Sequence, residues 1–294
     1  MHELAGIEMG GTKTIVVLGR PGHILEREEF PTTTPDETLG RAADLIAGWQ
    51  SRVPVDAVGI GAFGPIRVAT TAADYGVMLD TPKPGWQGAP VVAMIADALG
   101  VPVGLDTDVN AAALAEHRIG AGQGCGSLVY LTIGTGVGGG ILIEGEPIHG
   151  MLHPEVGHMR LRRAPGDTFA GACRFHGDCV EGLVSGPALA ARFGCHPAEI
   201  PVDHPGWDAV AHDLAELFAA LIMSLSPQRI VVGGGVSQRQ PHLLPAAITR
   251  VPALLGDYLR DCDPATLEAL VVPPLLGNDA GPTGALVVAE RALG

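Results

Sequence analysis

Short apolar runs closed by glycine alternate along this chain with longer stretches of helical period, a pattern that predicts an α/β protein. Residues 6–18 read as strand, glycine turn, strand, and Pro21-Gly22 then reverses the chain into another extended run. Leu39, Ala42, Leu45, Ile46 and Trp49 share one stripe, which predicts a helix over 38–50. Residues 55–60 read as a short buried strand ending in Gly61-Ala62-Phe63-Gly64-Pro65. Strands are also predicted over 101–106, 128–133 and 229–232, and helices over 91–99, 111–119, 187–193 and 209–225. A final helix is expected over 282–293, with Pro282 suited to its start. The opening pattern returns at mid-chain: strand 128–133, the turn Gly134-Thr135-Gly136-Val137-Gly138-Gly139, and a return strand at 140–143. The chain therefore carries a duplicated strand–glycine turn–strand unit, one copy per half. A third glycine turn, Gly233-Gly234-Gly235, follows the strand at 229–232.

Composition narrows the class. At 294 residues, 47% apolar and 17% charged, the chain is globular and long enough for two lobes. A net charge of −14 argues against nucleic acid or an anionic membrane surface as partner, but not against ATP, which local amides and a metal can hold. No apolar run approaches the length of a membrane span and no signal segment opens the chain. Met1 leads almost directly into a strand, and a soluble, cytoplasmic protein is expected. Cys125, Cys195 and Cys262 are scattered and read as buried thiols rather than a disulfide framework.

Three places carry chemistry. Each glycine turn follows an apolar strand, where backbone N–H groups can converge on an anion. Gly10-Gly11-Thr12-Lys13 adds a hydroxyl and an ammonium, and Gly134-Thr135-Gly136 adds a hydroxyl. Neither is a P-loop, and a strand rather than a helix follows the second, which excludes a dinucleotide fingerprint. Asp106-Thr107-Asp108-Val109-Asn110 puts two acids at a strand end, just before a helix. Asp108 is then either an ordinary N-cap or a carboxylate at the sheet edge where α/β proteins gather ligands, able to accept a hydroxyl proton. His158, Cys173, His176 and Cys179 are four zinc-type side chains in a glycine- and proline-rich segment with poor core-forming periodicity. Spacing alone leaves His153 open as the first ligand, and His149 is a further imidazole nearby. Four protein ligands leave no open position, so the zinc reads as structural. Glu155 and Glu181 flank this knot.

Gly6-Ile7-Glu8-Met9-Gly10-Gly11-Thr12-Lys13, the Asp106–Asn110 run, Gly134 to Gly140, Glu155-Val156-Gly157-His158, the Cys/His knot and Gly233-Gly234-Gly235-Val236 occur in one order. Together they resemble the ROK family (repressor, open reading frame, kinase) of sugar kinases over nearly the whole chain. The bacterial fructokinase branch, with its Glu-x-Gly-Gly-Thr-Lys and Cys-x2-His-x2-Cys motifs, is most similar. The resemblance implies a two-lobed actin-like ATPase (ribonuclease H-like) fold with a zinc-binding loop, ATP and a hexose lying between the lobes. Residues 1–111 plus 277–294 would form the small lobe and 112–276 the large one, hinged near Ala111 and Leu276. It further implies that Gly10, Gly11, Thr12, Lys13, Gly134, Thr135 and Gly136 hold the phosphates, and that Gly233, Gly234 and Gly235 lie along the adenosine. Asp108 matches the catalytic base. Glu155, His158 and Glu181 match residues holding sugar hydroxyls, with His158 also a zinc ligand, and Gly64 and Pro65 match the loop under the sugar.

Two positions depart from the family pattern. Glu8 stands where most members have Asp, one methylene longer, in indirect contact with Mg²⁺. Thr107 stands where many glucose-type members have a sugar-contacting Asn, which fits the fructokinase branch. The implied reaction is phosphoryl transfer from MgATP to a hexose hydroxyl, foremost the 6-hydroxyl of fructose, by a homodimer. A glucose, mannose or broad hexose kinase is the alternative, and a non-catalytic sugar sensor a lesser one. A repressor of this family would carry a DNA-binding segment ahead of the first glycine turn, where nine residues precede Gly10. Pro84-Gly85-Trp86 is either a wall of the sugar pocket or an exposed tryptophan turn, and residues 214–225 are either interface or core.

Overall fold

A computed structural model describes residues 2–256 and 258–294, so the expectation for Met1 lies outside the described residues. In chain order the first elements are β1 (Leu4–Met9), β2 (Lys13–Arg20), β3 (His23–Pro31), α1 (Pro35–Gln50) and β4 (Ala57–Ala62). Next come α2 (Val91–Leu99), β5 (Val103–Thr107), α3 (Asp108–Ile119), β6 (Ser127–Ile133), β7 (Val137–Ile143) and β8 (Glu146–Pro147). Then α4 (Val180–Val184), α5 (Gly186–Phe193), α6 (Trp207–Leu225), β9 (Arg229–Gly233) and α7 (Gly235–Arg239) follow. The chain ends through α8 (Leu243–Ile248), α9 (Val251–Leu254), α10 (Pro264–Leu270), β10 (Val271–Val272) and α11 (Ala280–Arg291).

The strands form two five-stranded sheets, ordered β3-β2-β1-β4-β5 and β10-β9-β6-β7-β8. With β6 set against β1 and β7 against β2, the two orders are the same: the mid-chain echo is a duplicated sheet, not only a duplicated turn. In the first sheet β1 runs antiparallel to β2 and parallel to β4, and β4 runs parallel to β5. In the second, β6, β9 and β10 run parallel.

By contacts the chain divides into two compact units. Unit one holds residues 1–124, 140–154 and 275–294, and unit two holds 125–139 and 155–274. The sequence expectation puts residues 112–276 in one lobe; by contacts, 112–124, 140–154 and 275–276 group with unit one, where α3 packs on α11 and β8 on α3.

The period-two alternation of β1 organises unit one. Ala5, Ile7 and Met9 face the large core shared with α1 and α2, which includes Leu39, Ile46 and Trp49. Leu4 faces the opposite side, against Leu286 and Ala289 of α11. Glu8, in phase with Leu4, follows it to that side and meets α11 at Gly281. In unit two α6 buries Leu214, Leu217, Phe218, Leu221 and Ile222, so most of the 214–225 stretch is core, while Met223 and Ser224 near its end are exposed. None of the described helices is long and apolar enough to cross a membrane.

Where boundaries moved, caps explain the shift. α1 starts at Pro35 because Thr34 caps it, accepting from Glu37 N at 3.3 Å. α3 starts at Asp108, ahead of the expected Ala111, because Thr107 is its cap. The second glycine turn is shorter than its glycine run, since Val137 to Gly139 already belong to β7. α11 begins two residues before Pro282 because the 3-10 turn Gly277–Asp279 feeds straight into it.

Candidate active site and metal centre

In unit one, β5 delivers an acid-rich strand end to the first turn of α3. The Thr107 side chain accepts the Asn110 N–H at 3.1 Å, which makes Thr107 the N-cap. Asp108, the first helical residue, is therefore not the cap, and its Oδ1 accepts from the adjacent Val109 N–H at 2.9 Å. Asp106 is 5% exposed and does something else: its Oδ1 accepts from Thr107 N at 2.8 Å and Asn110 Nδ2 at 2.7 Å. His149 Nε2 lies 3.1 Å from the same oxygen, and that hydrogen bond raises the imidazole pKa above its ordinary value. A proton on Nε2 donated to Asp106 is the arrangement this favours. His153 is buried, and its Nε2 accepts the Ile66 N–H at 3.3 Å, directly behind the cis Gly64–Pro65 peptide. Neither histidine joins the metal cluster, so the structure removes His153 as a ligand; both brace the strand-end loops.

The first glycine turn is held from behind. Gly10 O accepts from Thr32 Oγ1 at 2.7 Å, Thr12 O from Thr32 N at 3.0 Å, and Lys13 O from Gly10 N at 3.0 Å. Lys83 Nζ supplies Gly11 O at 2.7 Å. The N–H groups of Gly11 and Thr12 meet no protein acceptor among the described residues. Lys13 itself turns along the sheet to Glu29, 3.1 Å away, with its side chain about half exposed. Glu8 sits beside this turn with its carboxyl against Gly281, and burial pushes its pKa up to about 7.

In unit two the second turn is closed by Gly134 N donating to Gly136 O at 2.9 Å, and Gly186 N at the head of α5 donates to Gly134 O at 2.8 Å. Glu181 Oε2 accepts the Val137 N–H at 3.1 Å. A Cβ on Gly136 would stand 2.6 Å from that oxygen, so any other residue there would push the carboxylate aside. In the third turn Gly234 has φ +92° and its missing Cβ would strike the Ile133 carbonyl, which again demands glycine. The second turn borders a cavity of about 290 Å³, lined by Gly134, Thr135, Gly186 and Pro187 and, just past the third turn, by Val236 and Gln240.

The Cys/His segment folds into a tight knot. Cys173 N donates to Gly177 O at 3.1 Å and Gly177 N returns to Cys173 O at 2.9 Å, a turn that brings His176 beside Cys173. His158, on a 3-10 turn, places Nδ1 3.8 Å from Cys173 Sγ and 3.6 Å from Cys179 Sγ, and His176 Nδ1 is 3.9 Å from Cys173 Sγ. All four ligand atoms lie within 4.8 Å of one another. Tetrahedral zinc, with bonds of about 2.3 Å to sulfur and about 2.0 Å to nitrogen, sets neighbouring ligand atoms about 3.5–3.8 Å apart. The donor set and the spacing fit that ion. Three residues before His158, Glu155 keeps its side chain open to solvent, yet desolvation at the carboxyl, reinforced by Glu181, pushes its pKa up to about 7.

Some of this was not foreseen. Trp86 is fully buried, edge-on to Phe63 with centroids 5.1 Å apart, and its Nε1 donates to Thr33 O at 2.7 Å, so the exposed-turn alternative falls. Asp106, Asn110, His149 and Lys83 were not singled out as site residues. Their contacts cross tens of residues of chain, and only the two acids at one strand end offered a local signal.

Known proteins resemble this chain over nearly its whole length. A fructokinase of Zymomonas mobilis is 41% identical over 296 residues, covering 97% of this chain and 96% of its own. A fructokinase of Pediococcus pentosaceus is 39% identical over 291 residues, covering 99% and 98%. The crystal structure of a ROK hexokinase from Thermus thermophilus matches with a TM-score of 0.79 at 28% identity, covering 99% of both chains. The family model for ROK proteins matches residues 4–292, so nearly every element described above falls inside it, and the chain belongs to the ROK family.

Proposed function

We propose that this protein is an ATP-dependent hexose kinase that converts D-fructose to fructose 6-phosphate, with Asp108 as the general base. The observation that carries the reading is the placing of Asp108: a carboxylate at a strand end, on the first turn of α3, where Thr107 is the cap, in a chain about 40% identical throughout to fructokinases. Phosphoryl transfer has a loose transition state, so positioning and charge stabilisation do most of the work. Asp108 orients the 6-hydroxyl and takes its proton, an effect of about 10²–10⁴-fold. Gly64, Pro65 and Thr107 in unit one, and Glu155, His158 and Glu181 in unit two, are the sugar-holding residues of this reading. Thr107 supports fructose over glucose, because its oxygen is committed to the α3 cap and a sugar-contacting amide is missing there.

Gly10, Gly11, Thr12 and Lys13, and Gly134, Thr135 and Gly136, serve the phosphates. Gly233, Gly234 and Gly235 serve the adenosine in this reading; Val236, which follows them, lines the cavity beside the second turn, whose volume is close to the roughly 300 Å³ at which ligand sites begin. Mg²⁺ would supply charge neutralisation on the transferred phosphate, with Glu8 as its indirect partner. Zn²⁺ at His158, Cys173, His176 and Cys179 is structural and holds the segment that carries Glu155 and Glu181. A homodimer acting in the cytoplasm, where ATP is drawn on, completes the reading.

The test is ADP release with ATP and Mg²⁺ over fructose, glucose, mannose and N-acetylated hexosamines, with Asp108→Asn in parallel. Fructose-led turnover abolished in the variant is expected. A glucose or mannose preference overturns the substrate, and a variant with wild-type kcat removes Asp108 from the reaction.

A further inference from the structure

The first glycine turn has a second ammonium beside it, one that the sequence did not point to. Lys13 Nζ is paired with Glu29 on the neighbouring strand. Lys83, seventy-two residues from Gly11 in sequence, is the cation at the turn: its Nζ donates to Gly11 O at 2.7 Å and to Thr32 O at 3.0 Å. An ammonium has three N–H donors, and among the described residues these two carbonyls are the only acceptors Lys83 meets.

The remaining carbonyls of the turn are each met by Thr32 or by Gly10, as set out above. A carbonyl oxygen facing a phosphate repels it, whereas an N–H attracts it. With every carbonyl from Gly10 to Lys13 engaged, the N–H groups of Gly11 and Thr12 are the part of the turn left for an anion. Lys83 is the charged group that bonds a carbonyl of the turn.

The segment bearing Lys83 also grips the loop assigned to the sugar. Thr81 Oγ1 donates to Gly64 O at 3.2 Å, and Leu79 N donates to Pro65 O at 2.8 Å. Trp86, buried on Phe63 and bonded to Thr33 O, anchors the far end of the strap. Residues 79–86 thus tie the cis Gly64–Pro65 loop to the first glycine turn within one unit.

We infer that Lys83 is a positioning residue for phosphoryl transfer: it holds the Gly11 carbonyl back and offers its third N–H and its charge to the transferred phosphate. This rests on the kinase reading above. Because the charge matters most as the phosphate moves, its loss falls on kcat, by about 10²-fold, the scale found when one preorganised donor is removed.

The experiment compares wild type, Lys83→Met, Lys83→Arg and Lys83→Ala in fructose and ATP kinetics, with melting temperatures alongside. Lys83→Met is expected to lose kcat about 10²-fold while fructose KM stays within about threefold. Lys83→Ala should regain part of its kcat, saturably, with ethylammonium, but not with tetramethylammonium, which has the charge and no N–H. A Lys83→Met enzyme with kcat within about threefold of wild type overturns the inference. So does a loss of kcat with a matching fall in melting temperature and no rescue, which would make Lys83 a brace only. If wild type phosphorylates no hexose, the kinase reading fails, and calorimetry with MgATP then decides for Lys83. Affinity at least about tenfold weaker in Lys83→Met sustains it, and unchanged affinity overturns it.

Discussion

Replacing Glu8 by glutamine should stabilise the protein at alkaline pH and do much less in acid. Glu8 ends up against α11 because β1 alternates, and its Oε2 is buried without a hydrogen-bond partner among the described residues. Burial is the main cause of its raised pKa. The cations that would oppose it, Lys13 and Arg27, are each tied to an acid, Glu29 at 3.1 Å and Asp279 at 2.5 Å, and those acids cancel much of their help. The folded pKa is about 7 against an ordinary 4.5. Between these values the folded chain holds a proton that the unfolded chain has released, so stability falls as pH rises through that window. The slope is about 1.4 kcal/mol per pH unit, so about 3 kcal/mol is lost by the time Glu8 is ionised. Glu8→Gln stays neutral throughout. Its stability relative to wild type should therefore grow from about 1 kcal/mol at pH 5 to about 3 kcal/mol at pH 8.5. Urea unfolding of both proteins in EDTA across that range measures it, and any fixed packing difference cancels in the comparison. Parallel curves, with a pH-independent gap, would refute the reasoning. A carboxylate kept at such a cost suits a residue that faces a cation in the working enzyme, so the same variant should need more Mg²⁺ for half-maximal turnover.

Gly136→Ala should push Glu181 off the Val137 N–H, lowering stability by about 1–3 kcal/mol and kcat/KM for ATP with it; unfolding and kinetics at wild-type values would refute this. Glu116 is wholly buried and accepts from Ala121 N at 2.7 Å, Leu275 N at 3.2 Å and Leu276 N at 2.8 Å. Glu116→Gln sets an amide N–H against at least one of these donors and should cost about 2–4 kcal/mol in denaturant unfolding. Removing zinc with a chelator should raise fructose KM before it touches ATP KM, because the knot holds the segment carrying Glu155 and Glu181. A zinc-free protein with an unaltered fructose KM would break that link.

What could be read in advance was what the chain encodes locally. α2 lies at 91–99 as its stripe predicts, because Val91, Ile95 and Leu99 repeat at helical spacing and Gly100 ends the helix with φ +67°. The Cys/His knot was legible because three of its four ligands fall within seven consecutive residues. The repeat was legible as two glycine turns, although the matching strand order of the two sheets needed the structure. What stayed hidden were polar contacts that depend on where distant segments come to rest. His149 meets Asp106 across 43 residues and Lys83 meets Gly11 across 72, and no periodicity encodes such a return. The capping choice was hidden for a subtler reason: Thr107, Asp108 and Asn110 are all good caps, and the end of β5 decides among them by placing Thr107 at the junction. That choice decides the chemistry as well. A cap at Asp108 would have spent the carboxylate on a backbone N–H two or three residues on; with the cap one residue earlier, the acid stands on the first helical turn and the helix start remains satisfied. A similar choice is made at the first glycine turn, where Lys13 pairs with Glu29 on the neighbouring strand and a lysine from another segment bonds the Gly11 carbonyl. In both places the neighbouring hydrogen bonds, which the motif does not encode, determine the partners each side chain takes.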